Sequence, residues 1–268
     1  MDNVTHAALG IAAGIAVRRA GASLPAAALA GLLAGEGPDL DVFIRSAGDP
    51  LVSFRWHRHF THSFAFAPVW GLLAALISAW FFRRRPDAHW RDLLLPGLAG
   101  ALSHVLCDAC TSYGTMLLWP FDTGRYAWDC MPIIDLFATL PVLVLAILAW
   151  KKAAPRLAVY GLVWFTSYAL LGAWQHARAE TALRQWFASQ QVTRRTERVA
   201  VKPTALNLVV WRCVWLEDGK WHTAAVRVMP FMAPQVIIGE TRTALTPQSP
   251  GLPAAGSPAA VIIADFSR

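Results

Sequence analysis

Residues 64–82 read FAFAPVWGLLAALISAWFF, nineteen positions without a charged side chain, closed by Arg83-Arg84-Arg85. A helix that crosses a bilayer core needs about 20 predominantly apolar residues. This run therefore predicts a membrane protein. The whole chain has the matching composition: 56% hydrophobic, 15% charged, with a mean hydropathy of +0.40. Soluble domains carry about 25% charged residues. A very apolar soluble enzyme would not explain so long an uncharged run.

Working outward, five more apolar segments are expected, at 4–17, 24–35, 93–111, 133–150 and 157–174. The first two are short and rich in Ala and Gly, a composition that lets helices approach closely inside a bundle. From residue 176 the chain turns polar and amphipathic. Residues 199–228 then alternate apolar with polar side chains and break at Glu-Asp-Gly-Lys, the pattern of a β-hairpin. The stretch Thr246–Ala260, rich in Pro, Gly, Ser and Ala, reads as a flexible tail. The expected fold class is an all-α polytopic membrane bundle of about six membrane segments, the first two short. A small C-terminal β-containing extramembrane domain follows it. The expected domains are 1–178 and 179–268.

Charge gives an orientation. Nine Lys or Arg fall in the loops at 18–19, 83–91 and 151–156, against four (Arg45, Arg55, Arg58, Arg125) in the loops of the other side. By the positive-inside rule the first group is cytoplasmic. The other face, with the C-terminal domain, then lies outside, in the periplasm or its equivalent. The net charge of +7 is absorbed by these flanks. No basic face with interleaved aromatics argues for nucleic acid. A cleavable signal peptide is not expected, because Arg18-Arg19 follow the first apolar segment instead of preceding it.

Of eleven carboxylates before residue 178, only Asp87 and Asp92 fall on the basic side. The rest gather toward the opposite end, together with six of the eight histidines. "MDNVTH" brings His6, "GEGPDLD" brings Glu36, Asp39 and Asp41, and "HRHFTHS" brings His57, His59 and His62. "HVLCD" sets His104 and Asp108 one helical turn apart, and "IID" sets Asp135 before the fifth segment. Ionisable groups inside a membrane are costly and need partners, which makes them a functional-site hypothesis. Imidazoles with carboxylates suit a hydrolytic divalent metal, zinc in preference to manganese, as one or two ions. Each piece also has a plainer reading. Asp39 and Asp41 suit a capping turn, Asp135 suits a helix N-cap, and the histidines at 57, 59 and 62 suit a membrane interface. Cys107-x-x-Cys110 offers a rival, a membrane thiol redox pair.

In order along the chain, MDxxTHxxxG, PDxD, HRxxTHS, HxxxDxxTSYGTxLLxPF and IID resemble the YdjM-type family of inner-membrane, metal-dependent hydrolases, some of them LexA-regulated. The resemblance spans about residues 1–140. It implies that His6, Asp39, Asp41, His57, His62, His104 and Asp108 form the family's His/Asp pattern, flanked by Arg58, Thr61 and Thr111. His59, Glu36 and the cysteines lie outside that pattern. The expected ligands are His6, Asp39, Asp41, His62, His104 and Asp108, with His57 and Asp41 in catalysis. Arg58, Thr61 and Thr111 are the expected substrate contacts; His59, Asp135 and Glu36 are secondary candidates. The expected reaction is hydrolysis of a phosphoester of a lipid or envelope metabolite. The expected partners are the lipid bilayer and a lipid-linked or anionic small molecule. A structural or transported metal without catalysis is the alternative.

Overall fold

The computed structural model of the chain describes residues 1–48, 52–190, 196–229 and 231–244. They form seven helices followed by a four-stranded sheet. The helices are α1 (Asn3–Ala16), α2 (Leu24–Glu36), α3 (Val52–Trp56), α4 (Ala67–Phe81), α5 (Trp90–Ala109), α6 (Leu136–Lys151) and α7 (Pro155–Gln190). The strands are β1 (Thr196–Pro203), β2 (Val210–Glu217), β3 (Lys220–Arg227) and β4 (Gln235–Thr243). The chain divides into two compact units. The first holds residues 1–40, 58–176 and 202–208; the second holds 41–57, 177–201 and 209–268.

In the first unit α1 packs on α2, α5 and α6, while α2 and α4 both pack on α5. Glycines let these helices touch backbone to backbone. A Cβ on Gly31 of α2 would strike the carbonyl of Gly10 on α1, and a Cβ on Gly100 of α5 would strike the carbonyl of Gly31. Three helices thus meet at one glycine contact. Each lies one turn from a residue of the site described below: Gly10 from His6, Gly31 from Gly35 and Gly100 from His104.

Among the described residues only α7 is long and apolar enough to cross a membrane by itself. A second span results when residues 52–62 and α4 are counted together. Six full spans are not seen, and the reason is local. Phe64, Ala65 and Phe66 form a turn before α4, and Ile133 and Ile134 precede α6 without being helical. The apolar windows therefore overstate the helices inside them: α4 has 15 residues and α6 has 16. α5 reaches 20 residues but carries Asp92, Pro96, His104 and Asp108. The unit still exposes Leu72, Leu76 and Ile77 of α4, Leu140 and Val144 of α6, and Val159 and Val163 of α7. Soluble monomers rarely show apolar surface on that scale.

In the second unit β2–β3 and β3–β4 pair antiparallel, and the sheet order is β1-β2-β3-β4. β2 alternates as its sequence suggests, burying Trp211, Cys213 and Trp215. The β2–β3 turn falls at Asp218-Gly219, both with positive φ, the backbone that a two-residue hairpin of right-handed twist needs. Phe187 of α7 packs edge-on against Trp215, which stacks on His222 on its other flank. β4 was not expected from the sequence. It is an exposed edge strand, without the alternation that marks β2. The expected tail at 246–260 lies outside the described residues.

Candidate metal centre

The site is built from both ends of the glycine contact. Asp2 caps α1, accepting hydrogen bonds from the backbone N–H of Thr5 at 3.1 Å and from its hydroxyl at 2.6 Å. This fixes the first turn of α1 and with it His6. The His6 and His104 rings stack with centroids 3.8 Å apart. That separation follows from how closely glycine lets α1, α2 and α5 approach.

His104 Nδ1 lies 2.6 Å from the carbonyl oxygen of Gly35. A carbonyl only accepts, so Nδ1 carries the proton and Nε2 presents a lone pair. Nε2 is buried and makes no hydrogen bond. It faces Asp108 Oδ2 at 3.6 Å and Asp39 Oδ1 at 3.7 Å. His62 Nε2 faces the same two carboxylates, 3.3 Å from Asp39 Oδ1 and 3.4 Å from Asp108 Oδ2, while its Nδ1 meets the Thr61 hydroxyl at 3.0 Å. One donor atom each from Asp39, His62, His104 and Asp108 lies within 4.8 Å of all the others. Donors around a tetrahedral ion at about 2.0–2.1 Å stand roughly 3.3–3.4 Å apart. The four histidine-to-carboxylate separations, 3.3 to 3.7 Å, lie close to that value, and the group could hold a divalent cation. A backbone carbonyl fixing the far nitrogen of a ligand histidine is the usual support of such a centre.

His6 Nε2 lies 3.2 Å from Asp108 Oδ1, and the Met1 amine is held between His6 and Asp108. Arg58 is buried. Its Nε lies 2.9 Å from Asp108 Oδ2, and Nη1 donates to the Thr111 hydroxyl at 2.7 Å and to the Asp108 carbonyl at 3.4 Å. Its guanidinium also sits 5.0 Å from the centre of the Tyr113 ring. In this structure Arg58, Thr111 and Thr61 hold the cluster itself: Thr61 bonds His62, while Arg58 and Thr111 tie Asp108 to the end of α5. Asp39 lies in the 3-10 turn Gly37–Phe43 that follows α2. Its Oδ1 lies 3.3 Å from His62 Nε2 and 3.7 Å from His104 Nε2.

Asp41 and His57 belong to the second unit and pair with each other, His57 Nδ1 lying 2.8 Å from Asp41 Oδ1. A carboxylate holding one ring nitrogen is how a histidine is oriented for proton transfer. Asp135 caps α6, accepting from the N–H of Phe137 at 2.9 Å and of Ala138 at 3.3 Å, and receives the Tyr168 hydroxyl at 2.8 Å. Those bonds account for its burial without a metal. Glu36 takes a hydrogen bond from Asn3 at 3.2 Å. His59 accepts from the N–H of Phe60 at 2.7 Å, and burial followed by the charge of Arg125 lowers its pKa. All four cysteines are free and buried, surroundings that disfavour a reactive thiolate. No sequence signal marks Gly35 and Tyr168 as partners: one acts through its carbonyl, the other from a distant helix.

The profile of the YdjM inner membrane protein family matches residues 1–179. Inner membrane protein YbcI of Escherichia coli (strain K12) is 29% identical over 175 residues, covering 60% of this chain and 96% of that protein. No solved structure matches the chain.

Proposed function

Because the chain belongs to the YdjM inner membrane protein family, we propose that its buried His/Asp cluster is the metal centre of a membrane-bound hydrolase that cleaves a phosphoester. The observation that carries this reading is the set of donor separations, 3.3 to 3.7 Å, around His62 and His104. Asp39, His62, His104 and Asp108 would hold the ion, zinc in preference to manganese, with His6 stacked beside them. A divalent ion there supplies Lewis-acid polarisation of a phosphoryl oxygen and activates water near neutral pH. Gly35 keeps the proton on His104 Nδ1, so Nε2 stays a donor. Arg58 orients Asp108 and balances its charge. His57, oriented by Asp41, is the acid–base candidate of the second unit. The exposed apolar faces of α4, α6 and α7 support embedding of the first unit in the inner membrane. The nine-to-four distribution of basic loop residues supports a periplasmic site.

The test is metal content beside activity. Purified protein should carry about one or two equivalents of zinc or manganese, and chelation should abolish cleavage of a p-nitrophenyl phosphodiester. Metal-loaded protein that cleaves no phosphoester, carboxylic ester or amide would leave the second reading, a structural or transported metal. The full burial of His62, His104 and Asp108 favours that alternative, since structural sites are closed and catalytic ones keep an open position. Sidedness is best read at Lys220→Cys, an exposed position, because Cys213 is buried in the sheet. Labelling by an impermeant maleimide in intact spheroplasts is expected; labelling only after lysis would invert the orientation.

A further inference from the structure

An apolar cavity of about 630 Å³ opens between α1, α5 and α7 of the first unit. Its walls are helical stripes: Leu9 and Ala13 on α1, Ala99 to Cys107 on α5 with Cys110 at its C-cap, and Leu162 to Ala173 on α7. Among the described residues no charged side chain lines it. Hydroxyls, thiols and the indole N–H of Trp128 are the polar groups of its lining side chains.

We propose that this cavity holds a single hydrocarbon tail of a membrane lipid, which makes the phosphoester substrate a lipid of one leaflet. The proposal rests on the hydrolase reading for its chemistry and on three features for its occupant. The first is length. Eleven residue steps along α5 and along α7 span about 16 Å at 1.5 Å per residue, and half of a hydrocarbon core is about 15 Å. A tail from one leaflet fills the cavity end to end. The second is continuity with the bilayer. α7, the helix long and apolar enough to span, forms one wall, and Leu106 and Leu170 at the rim are exposed. A lipid tail can enter sideways without crossing water. The third is position. Leu9 and Cys107 line one end of the cavity, each three residues from a histidine of the cluster, His6 and His104. Residues at that spacing are neighbours on a helix face. A tail seated there leaves its phosphoryl head at the level of the His/Asp donors.

The experiment uses the full-length protein in vesicles of phosphatidylethanolamine and phosphatidylglycerol containing a phosphatidylglycerol with a photoreactive diazirine in one acyl chain. After irradiation, peptide mass spectrometry should place the adducts within 99–110 and 162–173. Ala173→Trp, which fills the cavity from an exposed wall position, should lower that labelling at least fivefold. Val163→Trp, an exposed residue of the same helix outside the cavity, should leave it unchanged. Adducts spread evenly over the exposed residues of α4, α6 and α7, or indifferent to Ala173→Trp, would overturn the proposal, because that is ordinary lipid contact. Labelling excluded from the cavity by a second copy of the chain, seen as a crosslinked dimer, would overturn it too. Metal content is measured on the same samples. Protein that labels in the cavity but holds no metal removes the hydrolase reading and leaves the tail site standing. Protein that holds metal but does not label in the cavity does the reverse.

Discussion

Asp108 and Asp135 are both fully buried in the first unit, and they differ in what surrounds them. Asp135 meets neutral donors: two backbone N–H groups at the start of α6 and the hydroxyl of Tyr168. Asp108 meets groups that carry or can carry charge: Arg58, His6, His62 and His104. The first arrangement finishes a helix. The second concentrates lone pairs and cations around one carboxylate, a costly environment that folding alone does not require. A buried acid is therefore informative through its partners more than through its burial.

The sharpest way to break this contrast is Asp108→Asn. Metal content should fall to near zero by elemental analysis. Thermal unfolding should show a loss of about 3–5 kcal/mol, the usual cost of removing one partner of a buried ion pair. Metal retained at the wild-type level in Asp108→Asn would make the two carboxylates equivalent and end the distinction.

Next in size is the helix contact that brings the histidines together. Gly31→Val places its side chain against the Gly10 carbonyl and the Gly14 Cα, both backbone. Overpacking of this kind costs up to about 3 kcal/mol. The separation of α1, α2 and α5 must also grow, so metal affinity should fall with stability. Gly161→Ala is the matched control: its Cβ would meet the Leu145 Cβ at 3.4 Å, ordinary contact. A Gly31→Val variant with unchanged metal affinity would show that the cluster does not depend on this packing.

The third measurement works on the other carboxylate. Asp135→Ala removes a cap and should cost about 1–2 kcal/mol in thermal unfolding, and Tyr168→Phe about 1 kcal/mol. Neither should change metal content. Metal loss in Asp135→Ala would return that residue to the ligand candidates.

The contrast also marks what the sequence could and could not reveal. The spacing of His104 and Asp108 places both on one face of α5, and Pro38 before Asp39 signals a turn. Those residues were legible because their signals are local. Which donors converge depends on helix contacts among Gly10, Gly31 and Gly100, and glycine carries no pattern that names its partner. The Gly35 carbonyl and the Tyr168 hydroxyl escaped for the same reason. On the fold, apolar windows counted Phe64–Phe66 and Ile133–Ile134 as spans, although the chain turns there before the helix begins. Hydropathy reports which side chains suit hydrocarbon; it does not report where hydrogen-bonded turns start. β2 and β3 alternated clearly because one face is buried, whereas β4, exposed along its length, left little periodicity to read.

The smallest expected effect concerns the thiols. Cys107 adjoins Asp108 in sequence, yet a one-residue step along a helix turns the side chain by about 100°. Cys107 and Cys110 line the apolar cavity and are not among the four donors Asp39, His62, His104 and Asp108. Replacing both with Ala removes two small, buried, weakly polar groups and should alter stability by about 1 kcal/mol. Metal content should remain at the wild-type level, and a thiol–disulfide exchange assay should be blank for both proteins. The double variant separates two chemistries that share residues 104–110 at the C-terminal end of α5. If it loses its metal while Asp108→Asn keeps it, the donors are sulfur, the site is a thiolate centre, and the redox reading of Cys107 and Cys110 takes precedence over hydrolysis.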